Sequence, residues 1–452
     1  MKKQLSFILM ISAIASLVLA ACGAPAATEA PKAAVEANTK APEPVTIRFT
    51  GLSGPVGDEL LYFAKEYEKL HPNVKINVDT AGGETWQDTA PTTMFAASDG
   101  PDLSWWWCTN TAQYKAMIAA GLLAPLDDLY QSEGWDKAFP KGTLDYYTET
   151  DGHRYGVNND VVWTPFVYYN KDVFKKVGIE PPKTWDEMYS NSQKLRDAGY
   201  QPMSLVYEMS VRSHLPDGLM LNSWSEEEYQ AFLVNWKSDA PEASLKFKWT
   251  DPHGVRIYQT IKDMKDKGVF MDGFIGITDY NEAKSLFVSE KTAMYQDGNW
   301  AGGVAVLPKE VKFDFGYFFY PPMDQADYGR VGAYVANCYI AFANKNVEVS
   351  KDIIRFILQP KNMLKYIELG GNPAGRIDLP KDEVAKILGP MTGNMLSDIA
   401  KSGAPSLYEG VVPPELLVEL KNTIDLMLVG KLTPEGAAAR MQAETEKVRA
   451  DN

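Results

Sequence analysis

At 452 residues the chain is longer than one hydrophobic core usually serves, so two lobes or domains are expected. Hydrophobic residues at 45% and charged residues at 23% are the composition of a globular protein. A net charge of −14 excludes a broad basic surface of the kind that neutralises phosphates, so a nucleic-acid partner is not expected.

Lys2 and Lys3 precede an apolar run, Leu5 to Ala21, which reads as a signal peptide over residues 1–21. It ends Leu19-Ala20-Ala21-Cys22, which resembles a bacterial lipobox and implies that Cys22 becomes a lipidated first residue. The alternative is an ordinary secretory signal ending near Ala21. Residues 22–44 are rich in Ala, Pro, Glu, Thr and Lys without aromatic residues, so they should form a flexible spacer. Nothing after Cys22 is apolar for long enough to span a membrane. An exported body tethered to the outer face of the cytoplasmic membrane is expected. The two remaining cysteines, Cys108 and Cys338, form either a disulfide or two buried thiols.

The body begins with an alternating strand, Val45 to Phe49, and the loop Thr50 to Gly54. From about Asp58 a helix places Leu60, Phe63, Tyr67 and Leu70 on one face, and Val74 to Val78 is the next strand. This β-α-β unit predicts a parallel pair. A helix over Trp86 to Ala97 leads to Asp99-Gly100-Pro101-Asp102 and the strand Leu103 to Trp107. Side chains alternate across a strand, so Trp106 should face away from Trp105 and Trp107.

Val161 to Tyr169 reads as strand, because its β-branched and aromatic residues suit a pleated surface. Lys171 to Val177 is a short helix ended by Gly178, and Pro181-Pro182 blocks its continuation. Thr184 and Glu187 have capping-box spacing for a second helix. Asn222 to Trp236 and Asn281 to Ser289 read as helices, followed by a strand and turn over Thr292 to Trp300. Strands are expected over Phe313 to Tyr320 and Tyr334 to Ala343, then helices at Ser350 to Leu358 and Leu416 to Met427.

The run Val161 to Met188, with its YNKD and PKTW segments, resembles the sugar-binding family of extracellular solute-binding proteins of ABC importers, which includes the maltose-binding proteins. Gly100-Pro101-Asp102 before an apolar strand and Ala293-Met294 followed by Gly298 and Trp300 carry the same resemblance. It implies an α/β, two-lobed periplasmic-binding-protein-like fold, each lobe a mostly parallel sheet flanked by helices, with a ligand cleft at the hinge. By that analogy the first lobe takes 45–157 plus 300–345 and the second takes 158–299 plus 346–452. It further implies a sugar ligand, an ABC permease as membrane partner, and a monomer.

Sugars present flat C–H faces and a rim of hydroxyls, so aromatic rings stack on them while amides and carboxylates bond the rim. Trp107, Trp163 and Trp300 each stand where a strand meets a loop and match the family pattern; any lone tryptophan is otherwise core. Trp185 is read as structural, and Trp105 and Trp106 as core. Ser53, Thr109, Asn110, Asp160, Asp297, Asn299, Asn372 and Arg376 are the polar candidates, with turn or cap roles as the alternative. Glu84 and Trp86 could reach the cleft mouth, and Arg212 and His214 lie in a segment that could close over a ligand.

Catalytic signatures are missing: none of the four histidines belongs to H-E-x-x-H, and there is no G-x-S-x-G, C-x-x-C or Walker A sequence. No cofactor or metal is expected. The alternatives are a binder of a polyamine, osmolyte or metal complex, or a glycoside hydrolase using Asp160 and Asp297. Tyr168 and Tyr169 point to opposite faces of a strand, which argues against a paired-tyrosine iron site.

Overall fold

The structure is a computed structural model that describes residues 43–81, 100–108, 112–323, 329–335, 337–370, 372–402 and 405–451. The expected helix over Trp86 to Ala97 lies outside them, as do the signal peptide, Cys22 and most of the spacer. Its strands are β1 (Val45–Leu52), β2 (Val74–Ala81), β3 (Leu103–Trp107), β4 (Gly156–Asn158), β5 (Val162–Thr164) and β6 (Phe166–Asn170). They continue with β7 (Gln201–Ser204), β8 (Thr292–Asp297), β9 (Phe315–Phe318), β10 (Gly332–Tyr334) and β11 (Asn337–Ala341).

Two sheets form, ordered β2-β1-β3-β11-β4 and β7-β8-β6-β9, with a ribbon of β10 and β5. Along the chain β5 leads from the first sheet to the second, and β10 leads back, so the ribbon consists of two passages between lobes. A third passage interrupts the helix Lys381–Ser402 at Gly389, whose φ of 73° precedes Pro390. Leu388 packs with the first sheet's core, whereas Met395 and Ile399 pack with the second's.

Each sheet is mixed rather than mostly parallel. β1 pairs parallel with β2 and β3, as the β-α-β reading requires, and β7 pairs parallel with β8. β11 pairs antiparallel with β3 and β4, and β6 pairs antiparallel with β8 and β9. β11 arrives from the other lobe, so no crossover helix on its own sheet imposes a parallel direction.

The helix Pro55–Leu70 buries Leu60, Phe63, Ala64 and Tyr67 against the first sheet. Each large apolar side chain so buried contributes about 1.5–3 kcal/mol. Leu70, expected on the same face, is 65% exposed because the helix ends there. The three tryptophans of β3 divide as alternation demands. Trp105 enters the first sheet's main core with Trp107 packed beside it, and Trp106 joins Met117 and Cys338 on the other face.

In the second lobe Gly178 adopts φ 75° and closes the helix Lys171–Val177. Thr184 Oγ1 accepts the Glu187 N–H at 3.2 Å, but the Glu187 carboxylate accepts from Lys183 N–H at 2.6 Å, so the capping box closes one residue early. Trp185 stacks on Tyr320 with 5.8 Å between centroids, a packing role. The helix expected over Asn222 to Trp236 is two helices. Leu215–Ser223 ends before Trp224, and Ser225 with Glu228 makes a complete capping box for Glu226–Leu233.

The lobe division also differs from the expectation. β9 belongs to the second sheet, and the helices Val347–Ile357 and Pro360–Gly370 pack in the first sheet's core through Ile353, Ile354, Met363 and Ile367. The chain therefore crosses later than analogy implied, near Gly389.

Cys108 and Cys338 are bonded, with Cα atoms 5.9 Å apart, and tie the end of β3 to β11. The bridge closes a loop across a sequence separation of 230 residues. Reduction, or Cys338→Ser, is expected to lower stability by about 2–4 kcal/mol, read as a lower urea midpoint with the fold retained.

Candidate functional site

The hinge passages converge on one buried carboxylate. Asp160, 1% exposed, follows β4 on the way out of the first lobe. Its Oδ1 accepts from Asn337 Nδ2 at 2.8 Å, and its Oδ2 accepts from the Tyr366 hydroxyl at 2.8 Å and from Asn372 Nδ2 at 3.0 Å. Burial raises its pKa, and these three donors oppose the rise. Asn372 Oδ1 then accepts from Asn299 Nδ2 at 3.3 Å, and Asn299 Oδ1 accepts the Trp163 N–H at 2.7 Å. Asn299 stands just after β8, so this amide relay joins the first lobe, the β5 passage and the second lobe.

Trp107, half-buried at the end of β3, lies opposite Asn337 in the β3–β11 ladder. Trp163 and Trp300 are half-buried beside the second lobe's core. Three tryptophans thus surround the relay: Trp107 from the first sheet, Trp163 from the passage and Trp300 from the second lobe. An indole with one packed face and one open face is what stacking on a sugar requires.

Asp297 is hydrogen-bonded to the Trp300 side chain. It is 1% exposed; Oδ2 accepts from the Tyr295 hydroxyl at 2.5 Å and Oδ1 accepts the Gly298 N–H at 2.9 Å. Burial lifts the carboxyl to about 7, against hydrogen bonds that pull it down. The Tyr168 hydroxyl donates to Gly298 O at 2.7 Å and accepts the Gly302 N–H at 2.9 Å, which fixes the turn carrying Trp300. Asp297 and Tyr168 are therefore supports for the tryptophan.

Arg376 differs from its expected role as a late ligand contact from the second lobe. Nε donates to Asp378 Oδ1 at 2.9 Å, NH2 donates to Asp378 Oδ2 at 2.6 Å, and NH1 donates to Leu358 O at 2.5 Å. At 8% exposure it braces the first lobe. Ser53 is half-buried just after β1, its N–H bonded to Ala81 O at 2.9 Å. Thr109, Asn110, Glu84 and Trp86 lie outside the described residues.

Arg212 and His214 sit on a π-helix, Tyr207–His214, not in an open loop. Single-turn π segments inside helices recur at functional sites, since they turn side chains out of the regular register. His214 is 7% exposed, its ring 5.9 Å from that of Trp300. Burial first, and then the charge of Lys421, lower its pKa to about 3, so the imidazole is neutral. Arg212 pairs with Glu208 and, at 3.2 Å, with Asp425; Lys421 pairs with Glu208 at 2.9 Å. Lys421, whose charge acts on His214, is not marked by any motif in the sequence. Among the described residues no cluster of three or more His, Cys, Asp or Glu could hold a metal ion.

Two lobes joined by three passages around a tryptophan-lined hinge define a solute-binding receptor fold. Residues 52–364 match the family of bacterial extracellular solute-binding proteins, and the chain belongs to that family. It is 24% identical over 410 residues to the multiple sugar-binding protein of Streptococcus mutans, covering 86% of this chain and 87% of that one. It is 25% identical over 341 residues to the sn-glycerol-3-phosphate-binding periplasmic protein UgpB of Pectobacterium atrosepticum, covering 71% and 70%. Among solved structures, a chitin oligosaccharide binding protein matches at TM-score 0.73 and 21% identity over 90% of this chain and 99% of that one.

Two expectations follow from the buried carboxylates. Asp160→Ala leaves three buried donors without an acceptor and should cost about 2–5 kcal/mol, measured by urea denaturation. Asp297 has a folded pKa of about 7, above the 3.8 of an unperturbed aspartate. The folded protein then holds a proton between pH 4 and 7 that the unfolded chain has released, so stability falls as pH rises through that window. Asp297→Asn should flatten this slope in urea midpoints taken at pH 4.5 and 7.5.

Proposed function

We propose that the protein is the carbohydrate receptor of an ABC importer, capturing a mono- or oligosaccharide between its lobes and presenting it to a membrane permease. The observation that carries this is the set of half-buried tryptophans, Trp107, Trp163 and Trp300, on three different elements around the hinge relay. Relatives named for sugars and for a chitin oligosaccharide support it. A ligand that touches both lobes would stabilise the closed form over the open one by its differential affinity.

The same reading has Cys22 lipidated and the spacer tethering a monomeric body outside the cytoplasmic membrane. Binding is favoured over hydrolysis because Asp160 and Asp297, the acids nominated for a glycosidase, are both 1% exposed and turned to internal donors. A hydrolytic pair needs open carboxyls flanking the bond.

Titration with a panel of mono- and oligosaccharides, followed by tryptophan fluorescence and melting temperature, is the direct test. A saturable change in both with at least one sugar is expected, and silence across the panel removes the carbohydrate reading. Trp300→Ala should weaken that sugar at least tenfold, about 1.4 kcal/mol, while the urea midpoint changes little.

A further inference from the structure

One corner beside the hinge ribbon gathers four acids around two bases. The segment Pro405–Gly410 docks on the hinge ribbon, with Ala333 N–H bonded to Pro405 O at 2.9 Å and Leu407 N–H to Ala333 O at 3.4 Å. The helix Lys141–Tyr147 docks on the same passage from the first lobe, the Tyr147 hydroxyl donating to Val335 O at 2.6 Å. Glu409 and Tyr146 therefore both lie beside the β10 passage, and the Glu409 charge acts on the Tyr146 hydroxyl. Both are half-buried, and the Tyr146 hydroxyl has no hydrogen-bond partner among the described residues.

Behind Glu409 lies Asp217, 1% exposed, in the first turn of the helix Leu215–Ser223. Its Oδ2 accepts the Glu409 N–H at 3.4 Å, and its Oδ1 has no partner. One turn earlier His214, 7% exposed, has an unpartnered Nδ1. Arg212 pairs with Glu208 and Asp425, and Lys421 pairs with Glu208 while its charge also acts on Glu409. Four acids, Glu208, Asp217, Glu409 and Asp425, thus share two bases, and among the described residues neither Asp217 nor Glu409 makes an ion pair of its own. Burial lifts the Glu409 carboxyl to about 7 and, together with the Glu409 charge, pushes Asp217 well above the usual carboxylate range. Two neighbouring carboxyls in that state want one positive charge, and a proton or a ligand cation can supply it. Neutral hydroxyls can bond a carboxylate, but they do not cancel its charge.

We propose that Glu409, backed by Asp217 and faced by Tyr146, is a subsite for the protonated amine of an amino sugar. This rests on the carbohydrate reading and names the substrate class within it. The ammonium would donate to Glu409 and lie against the phenol of Tyr146, an aromatic partner suited to a cation.

Calorimetry on the full mature chain at pH 7 would compare three trimers of equal length: β-1,4-linked glucosamine, its fully N-acetylated form and cellotriose. The glucosamine trimer is expected to bind at least tenfold tighter than the other two. Glu409→Gln should erase that preference, read within the variant as the ratio of glucosamine-trimer to cellotriose affinity. Equal binding of all three trimers, or a preference that survives Glu409→Gln, overturns this inference and leaves the carbohydrate reading standing. Silence of all three overturns the inference, and silence across the wider sugar panel removes the carbohydrate reading as well. Should Glu409→Gln not fold, Tyr146→Leu takes its place: it should narrow the preference for the glucosamine trimer over cellotriose at least threefold, and an unchanged ratio overturns the inference.

Discussion

The carboxylate of Asp160 is the point on which the hinge depends. A buried charge is tolerated only when donors surround it, and here they come from three elements: Asn337 at the start of β11, Tyr366 on the helix Pro360–Gly370, and Asn372 in the following turn. Because those elements reach the site from far-apart segments of sequence, satisfying one carboxylate fixes where three segments meet. Asn158 adds its own link, donating to Asp160 O at 2.8 Å and to Asn337 O at 3.0 Å.

From this knot the amide pair Asn372–Asn299 extends into the second lobe. The 3.3 Å contact between them is longer than its neighbours in the relay. Trp163 hangs from the far end of the relay by its backbone N–H, so an indole at the hinge moves with Asn299. On the carbohydrate reading proposed above, the tryptophans would supply stacking area and the polar groups around them would bond the rim of the ligand.

The second lobe shows how a surface indole is held still. The Trp300 side chain bonds Asp297, and the turn between them is clamped by the Tyr168 hydroxyl. Asp297 reads from the sequence as a cleft residue and Tyr168 as scaffold, and both are buried and bonded internally. The division between touching the ligand and supporting what touches it depends on depth, which a sequence does not record.

Much was legible before any coordinates. The β-α-β start, the Gly178 stop, the alternation of Trp105, Trp106 and Trp107, and the family itself all rest on local rules: side-chain period, the left-handed freedom of glycine, and motif spacing. The tryptophans at strand ends were legible for the same reason. What only the tertiary structure decided was which distant groups meet. The Cys108–Cys338 bond, the internal bracing by Arg376, the break at Gly389–Pro390 that moves two helices into the first lobe, and the acid pair Asp217–Glu409 all depend on it. Local backbone preferences act over a few residues, whereas a hydrogen bond or an unpaired charge belongs to whichever segments packing brings together.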